Sequence, residues 1–310
     1  MPFQISDINR RILNSPEKFV SDCDAHYDAL LSGTADKLCD NLQNSPVVLL
    51  AGPSGSGKTT TAQKLDEKLE MHGVTTHVIS LDNYFITVEP GKIPLTEDGQ
   101  YDFESPKCLD MPLLQDHFLR LARGEEVMIP YFDFTERRQH RDSGTYLRLG
   151  RDELVIFEGI HALNGEVNGN PPGAMKIFIS AESDVMSGDR LLFPDEWSRF
   201  LRRLVRDYQF RNTAADETID MWDNVRHGEL AYVRPFVDSA DIFIDTAHGY
   251  DIPVLSQFAI PLLEDLPWEA RYNDYRWLPD VLRKFEPLDT SYIRPEALIR
   301  EFIGGGIYEY

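Results

Sequence analysis

The sequence predicts an α/β fold: a three-layer, P-loop NTPase-type parallel sheet with an Arg-bearing lid and helical N- and C-terminal extensions. Strand-length apolar runs alternate with stretches of helical period, as parallel sheets require. The first such run, Pro46 to Ala51, feeds a glycine-rich loop that opens a helix. The chain has 310 residues, 42% hydrophobic and 27% charged, the composition of a globular protein.

Residues 1–44 predict one or two amphipathic helices, with Ile8, Ile12 and Leu13 early and Leu30, Leu31, Leu38 and Leu42 later. After this N-terminal extension a core is expected over 45–265, followed by a C-terminal extension, 266–310, that packs on it. The glycine loop leads into a helix from about Lys58 to His72, stopped by Gly73, and Thr76–Leu81 is a second strand. Residues 82–105 form a long polar loop, which in a compact domain is usually functional. Ser105-Pro106 has the form of an N-cap and first-turn proline, predicting a helix to about Arg123. Val127–Tyr131 and Thr145–Leu149 are short strands, and Leu154–Phe157 is a buried strand ending in Glu158-Gly159. Gly165–Gly173 is a surface loop. Met175–Ser180 and Asp241–Ile244 complete a core of five parallel strands. Between those two lies an Arg-rich helix, about Asp195 to Arg211, within a lid over about 187–235. The aromatics from Trp268 to Trp277 are expected to dock on the chain's own core, and Gly304–Gly306 to form a mobile turn.

A formal charge of −21 repels phosphate backbones and argues against a nucleic-acid partner. Cys23, Cys39 and Cys108 lack metal-ligand spacing and suit a reducing compartment. No apolar stretch approaches the ~18 residues of a membrane span, and no signal-peptide pattern opens the sequence. The expectation is a cytoplasmic protein without a membrane partner; a homo-oligomer is left open.

Gly52-Pro53-Ser54-Gly55-Ser56-Gly57-Lys58-Thr59 fits G-x-x-x-x-G-K-[ST] at every fixed position, after a buried strand and before a helix. Its backbone amides would cradle the phosphates of ATP. Lys58 would neutralise the β- and γ-phosphates, and the Thr59 hydroxyl would ligate Mg²⁺. Thr60 extends the nucleotide-binding set. Glu158, at a strand end, stands where P-loop proteins place the carboxylate that orients Mg²⁺. Asp82 follows the second strand, where ligands bind; a carboxylate there can take the proton of an attacking hydroxyl, though an Asp-Asn pair equally suits a turn. Arg199, Arg202, Arg203, Arg206 and Arg211 crowd one helix, with Arg199, Arg203 and Arg206 on one face. They would either meet the transferring phosphoryl group or form a solvated face paired with Asp195, Glu196 and Asp207. Tyr101–Glu104 and Tyr131–Phe134 interleave aromatics with carboxylates, suiting a planar hydroxylated ligand or simply a core.

In order, Gly52–Thr59, Leu81–Phe85, Tyr101–Pro106, Pro130–Phe134, Phe157–His161 and Arg203–Asp207 resemble the uridine kinase/phosphoribulokinase family over roughly 46–245. The likeness is strongest to its bacterial uridine-kinase-like nucleoside kinases, extending to Trp222–Glu229 and Leu298–Gly305. The resemblance implies that Asp82 is the catalytic base, that Glu158 supports Mg²⁺, and that Arg203 and Arg206 face the phosphates. It implies that Glu104, where uridine kinases carry aspartate, holds ribose hydroxyls, and that Phe103 packs near the nucleoside. Tyr84, Phe85, Phe132, Arg137 and Arg211 complete the substrate-binding set. The family's tyrosine at Phe132, histidine near Arg137, tyrosine at Phe85 and histidine at Ser105 are replaced here, so its reading of the base does not carry over. The implied activity is ATP- and Mg²⁺-dependent phosphorylation of a small-molecule acceptor, a nucleoside 5′-hydroxyl first. The alternatives are another hydroxyl metabolite, of sugar-phosphate or pantothenate type, or a non-catalytic ATP-binding regulator.

Overall fold

The computed structural model describes residues 2–96, 99–267 and 269–308. Five parallel strands form the central sheet in the order Ile242–Asp245, Met175–Ser180, Val47–Ala51, Glu153–Glu158, Thr75–Ser80. Val47–Ala51 is buried along its whole length between Glu153–Glu158 and Met175–Ser180, which explains its unbroken apolar run. Helices cover both faces. Lys58–Met71, Pro16–Asn41 and Asp251–Glu264 belong to one buried cluster, and Met111–Ala122 belongs to the other.

The expected helix from Ser105 does not form as one piece. The Ser105 side chain caps only a single 3₁₀ turn, Pro106–Cys108, after which Leu109 turns extended and bridges Phe85. Asp110 then caps the true helix, Met111–Ala122, by accepting from the Leu113 N–H. The second short strand is also longer than expected. Arg138–Leu147 pairs antiparallel with Val127–Asp133 as a hairpin standing off the main sheet, with a bulge between Ile129 and Tyr131. The loop at Gly165–Gly173 contains one helical turn, Gly165–Asn168.

Residues flanking the central sheet at both ends of the chain share its interior. One buried cluster runs from Ile8 and Ile12 through Leu31 and Leu38 to Phe302 and Ile303. Leu13, by contrast, is 68% exposed. Phe3–Gln4 pairs with Val185–Ser187, which turns back through Arg190–Phe193 into the arginine helix, Asp195–Phe210. Trp277 packs on Trp197 and Phe193; Trp268 lies outside the described residues. Gly304, expected in a mobile turn, lies against the Phe210 ring. Among the described residues no helix is long and apolar enough to cross a membrane.

Candidate active site

The loop Gly52–Gly57 rises from the carboxyl end of the central strand and enters the helix Lys58–Met71 through Gly57. Gly57 has φ +86°, a conformation closed to most side chains. The loop's carbonyls are tied down from behind. Arg202 donates to Gly55 O at 3.1 Å, the Thr246 hydroxyl to Ser56 O at 2.7 Å, and Arg199 reaches Ser54 O at 3.5 Å. With its carbonyls engaged on that side, the loop is preorganised for an anion.

Arg199 and Arg202 therefore do not present charge to the cleft. Both are 0% exposed, Arg199 paired with Glu229 and Arg202 with Asp251. Glu229 also takes Arg226 and Arg234. Burial pushes the Glu229 carboxyl up, and the three guanidinium groups together pull it below the usual range. Arg203 and Arg206 share the Arg199 and Arg202 face of the helix but are less deeply sealed, with 13% and 11% of their side chains exposed. Arg203 donates to Ser54 Oγ at 2.8 Å, and both arginines pair with Asp207. Arg211 is more exposed and approaches Asp207 at 3.6 Å.

Lys58, Asp82 and Glu158 converge at the carboxyl edge of the sheet. Lys58 Nζ donates to Pro53 O at 3.2 Å, folding its ammonium over the loop. Desolvation lowers its pKa, opposed by Glu158, Glu301 and Asp82. Burial likewise raises the Glu158 carboxyl to about 7 against the pull of Lys58, with the Ser80 side chain as a hydrogen-bond partner. Asp82 is open to the cleft, yet the surrounding protein desolvates its carboxyl enough to raise it, while Lys58 and Arg211 oppose. Two carboxylates and an ammonium in one desolvated spot form a site for cationic and anionic partners together.

Beside this centre, Phe85, Phe103, Phe132 and Phe134 with Ile86 and Val88 line a cavity of about 300 Å³ whose one charged lining residue, among the described residues, is Arg137. Phe85 lies 5.7 Å from Phe132 and Phe132 lies 5.1 Å from Phe134, centroid to centroid. Arg137 has φ +52°, strain held in place by its carbonyl accepting from Val88 N. Phe103 also borders a second, polar cavity of about 450 Å³ with Glu104, Arg203 and Asn224. Desolvation raises the Glu104 carboxyl to about 7, opposed by Arg203. Burial pushes His161 down to about 4, and the Glu104 and Tyr232 backbones near it oppose the shift. A cleft of about 740 Å³ between Thr75–Ser80 and the hairpin is lined by none of the P-loop residues.

Tyr84 leaves the expected site. Its side chain is fully buried and its hydroxyl bonds His117 Nδ1 at 2.9 Å, because the 3₁₀ turn Leu81–Tyr84 directs it into the core. Thr60 keeps its place on the P-loop helix, but its hydroxyl donates to Glu301 at 2.6 Å. Glu301, Glu229, Asp251 and Ser80 were not legible as site residues. Glu301 stands 241 positions from its partner, and no local spacing signals such a pair.

A family model described as Phosphoribulokinase / Uridine kinase family matches residues 47–253. The chain is 31% identical over 204 residues to a uridine kinase of Deinococcus deserti, covering 66% of this chain and 87% of that protein. It is 26% identical over 214 residues to a uridine kinase of Lactobacillus helveticus, covering 69% and 92%. A uridine kinase of Anoxybacillus flavithermus is 27% identical over 205 residues, with 66% and 87% covered.

Proposed function

The chain belongs to the phosphoribulokinase/uridine kinase family, and we propose that this P-loop kinase transfers the γ-phosphate of ATP to the 5′-hydroxyl of a uridine- or cytidine-like nucleoside. The observation that carries the reading is the convergence of Lys58, Asp82 and Glu158 beside the phenylalanine-lined cavity.

The residues present fit a nucleotide and its divalent ion. Buried Ser56 Oγ has no hydrogen-bond partner among the described residues and sits in the phosphate loop. The Glu158 carboxyl is desolvated, a state that a bound cation would relieve. Thr59 and Glu158 would hold Mg²⁺, which when bound supplies positive charge against the β- and γ-phosphate oxygens. Gly52–Gly57 and Thr60 would bind the phosphates, and Lys58 would orient the γ-phosphoryl group. Asp82 would accept the acceptor's hydroxyl proton as that oxygen bonds to phosphorus and the bond to ADP breaks. Arg203 and Arg206 would stabilise the charge on the transferring group. Glu104 would hold the ribose hydroxyls, and Phe85, Phe103 and Phe132 would enclose the base beside Arg137.

A second reading follows from the same cavity. Four phenylalanine rings and one guanidinium also suit an acceptor with an apolar body and one anionic or carbonyl end, such as a pantothenate-type alcohol. ADP release measured against pyrimidine and purine nucleosides, pantothenate, ribulose 5-phosphate and simple polyols separates the two. Stimulation by pyrimidine nucleosides alone supports the first reading, and stimulation by pantothenate alone replaces it. ATP binding with no stimulation by any acceptor favours a non-catalytic binder.

A further inference from the structure

The family match ends at residue 253, yet the chain beyond it returns to the phosphate loop. Leu298 covers Gly57, so that a Cβ built there would lie 2.9 Å from Leu298 Cδ1. Glu301 follows, 8% exposed, and its Oε2 accepts from the Thr60 hydroxyl at 2.6 Å and from the Thr60 N–H at 3.4 Å. Thr60 is the third residue of its helix, and amides of the first turn have no acceptor within the helix itself. Phosphate loops use these amides for the α- and β-phosphates of the donor. A carboxylate oxygen and a phosphate oxygen ask the same thing of this place: an N–H, an O–H and the positive end of a helix.

The surroundings make joint occupancy unfavourable. Glu158 and Asp82 already bring negative charge to the site, and Glu301 acts electrostatically on both Lys58 and Glu158. A polyphosphate beside a retained Glu301 would add like charge at short range in a desolvated pocket. The carboxylate has somewhere to go: Glu301 borders a cavity of about 330 Å³ that Arg206 and Arg211 also line.

We propose that Glu301 is a built-in substitute for a donor phosphate. It occupies the Thr60 donors, and the incoming nucleotide takes them over and turns the Glu301 carboxylate away from the helix, while Leu298, Ile299 and Phe302 stay in the core. The inference rests on the donor-nucleotide reading above. Because only the fraction with Glu301 withdrawn is competent to bind, apparent nucleotide affinity falls by that fraction. The Glu301–Thr60 pair is thus an autoinhibitory contact that the donor relieves.

AMP-PNP titrations of the full-length wild type and Glu301→Gln in the presence of Mg²⁺ test this. The expected result is about three- to tenfold tighter AMP-PNP binding by Glu301→Gln. Equal or weaker binding by Glu301→Gln overturns the proposal and leaves Glu301 as a fixed cap on the helix. Failure of both proteins to bind AMP-PNP overturns the donor-nucleotide reading beneath it instead.

Discussion

Asp82 and Glu104 are carboxyl groups that desolvation has moved upward, and each has a different task in the proposed reaction. For Asp82 the task is proton acceptance. Asp82→Asn is expected to leave ATP affinity within about twofold and to lower kcat by ~10²-fold or more; retained turnover in a continuous ADP-release assay would remove Asp82 from the mechanism. For Glu104 the task is accepting hydroxyl hydrogen bonds, which needs the ionised form. With its carboxyl at about 7, acceptor KM should rise as pH falls through neutrality, and the Glu104→Gln profile should be flat there. Stability runs the opposite way. A carboxyl raised on folding binds more protons folded than unfolded between its ordinary value and about 7, so its contribution is lost as pH rises across that window. Glu104→Gln should therefore gain thermal stability over wild type more at pH 8 than at pH 5.

The hairpin Val127–Leu147 and the arginine helix each position one side of the cleft. Within the hairpin, Gly144 faces the strand bulge so closely that a Cβ would sit 1.7 Å from the Ile129 carbonyl oxygen. Gly144→Ala should displace Phe132 and Arg137, raising acceptor KM while nucleotide affinity stays constant; equal losses of both would mean general unfolding. Behind the arginine helix, Glu229 is the shared partner of three guanidinium groups, of which only Arg199 belongs to that helix. Glu229→Ala strands Arg199 as an uncompensated buried charge, a change that costs about 3–5 kcal/mol and should appear as a lower urea midpoint. The elements themselves were legible where local pattern decides them. Met175–Ser180 matches its expected span because an apolar run between turns allows little else. The helix expected at Ser105 failed because its cap signal was real but local. Pairing of Leu109 with Phe85, which no nearby residue announces, ended it after one turn.

Across the whole molecule the burial pattern departs from residue type at the places that matter. Leu13 is exposed while Arg199 and Arg202 are sealed. A sequence shows five arginines on one helix, but the choice between phosphate contact and buttress depends on Glu229 and Asp251, 30 and 49 positions away from their partners. The phosphate loop was legible because its chemistry is written in consecutive residues; its support was not, because support is assembled by the fold. The chain beyond the family match belongs to that support. Leu278, Leu282, Leu298, Ile299 and Phe302 are almost wholly buried in the same cluster as the Lys58–Met71 helix. A chain ended after Leu266 should lose its cooperative unfolding transition by circular dichroism; a retained transition would make the C-terminal extension an accessory layer.

The two sealed arginines also set a clock. Arg199 and Arg202 fasten Asp195–Phe210 to Glu229, Asp251 and the loop carbonyls, so that Arg203 and Arg206, both paired with Asp207, change partners as side chains on a stationary rail. Side-chain reorientation occurs in picoseconds to nanoseconds, whereas swinging a whole element takes microseconds to milliseconds. In the proposed reaction, guanidinium charge would then follow the transferring group without waiting for the backbone. Relaxation dispersion should be silent for the amides of Asp195–Phe210 during nucleotide turnover; slow exchange there would mean that the helix itself swings.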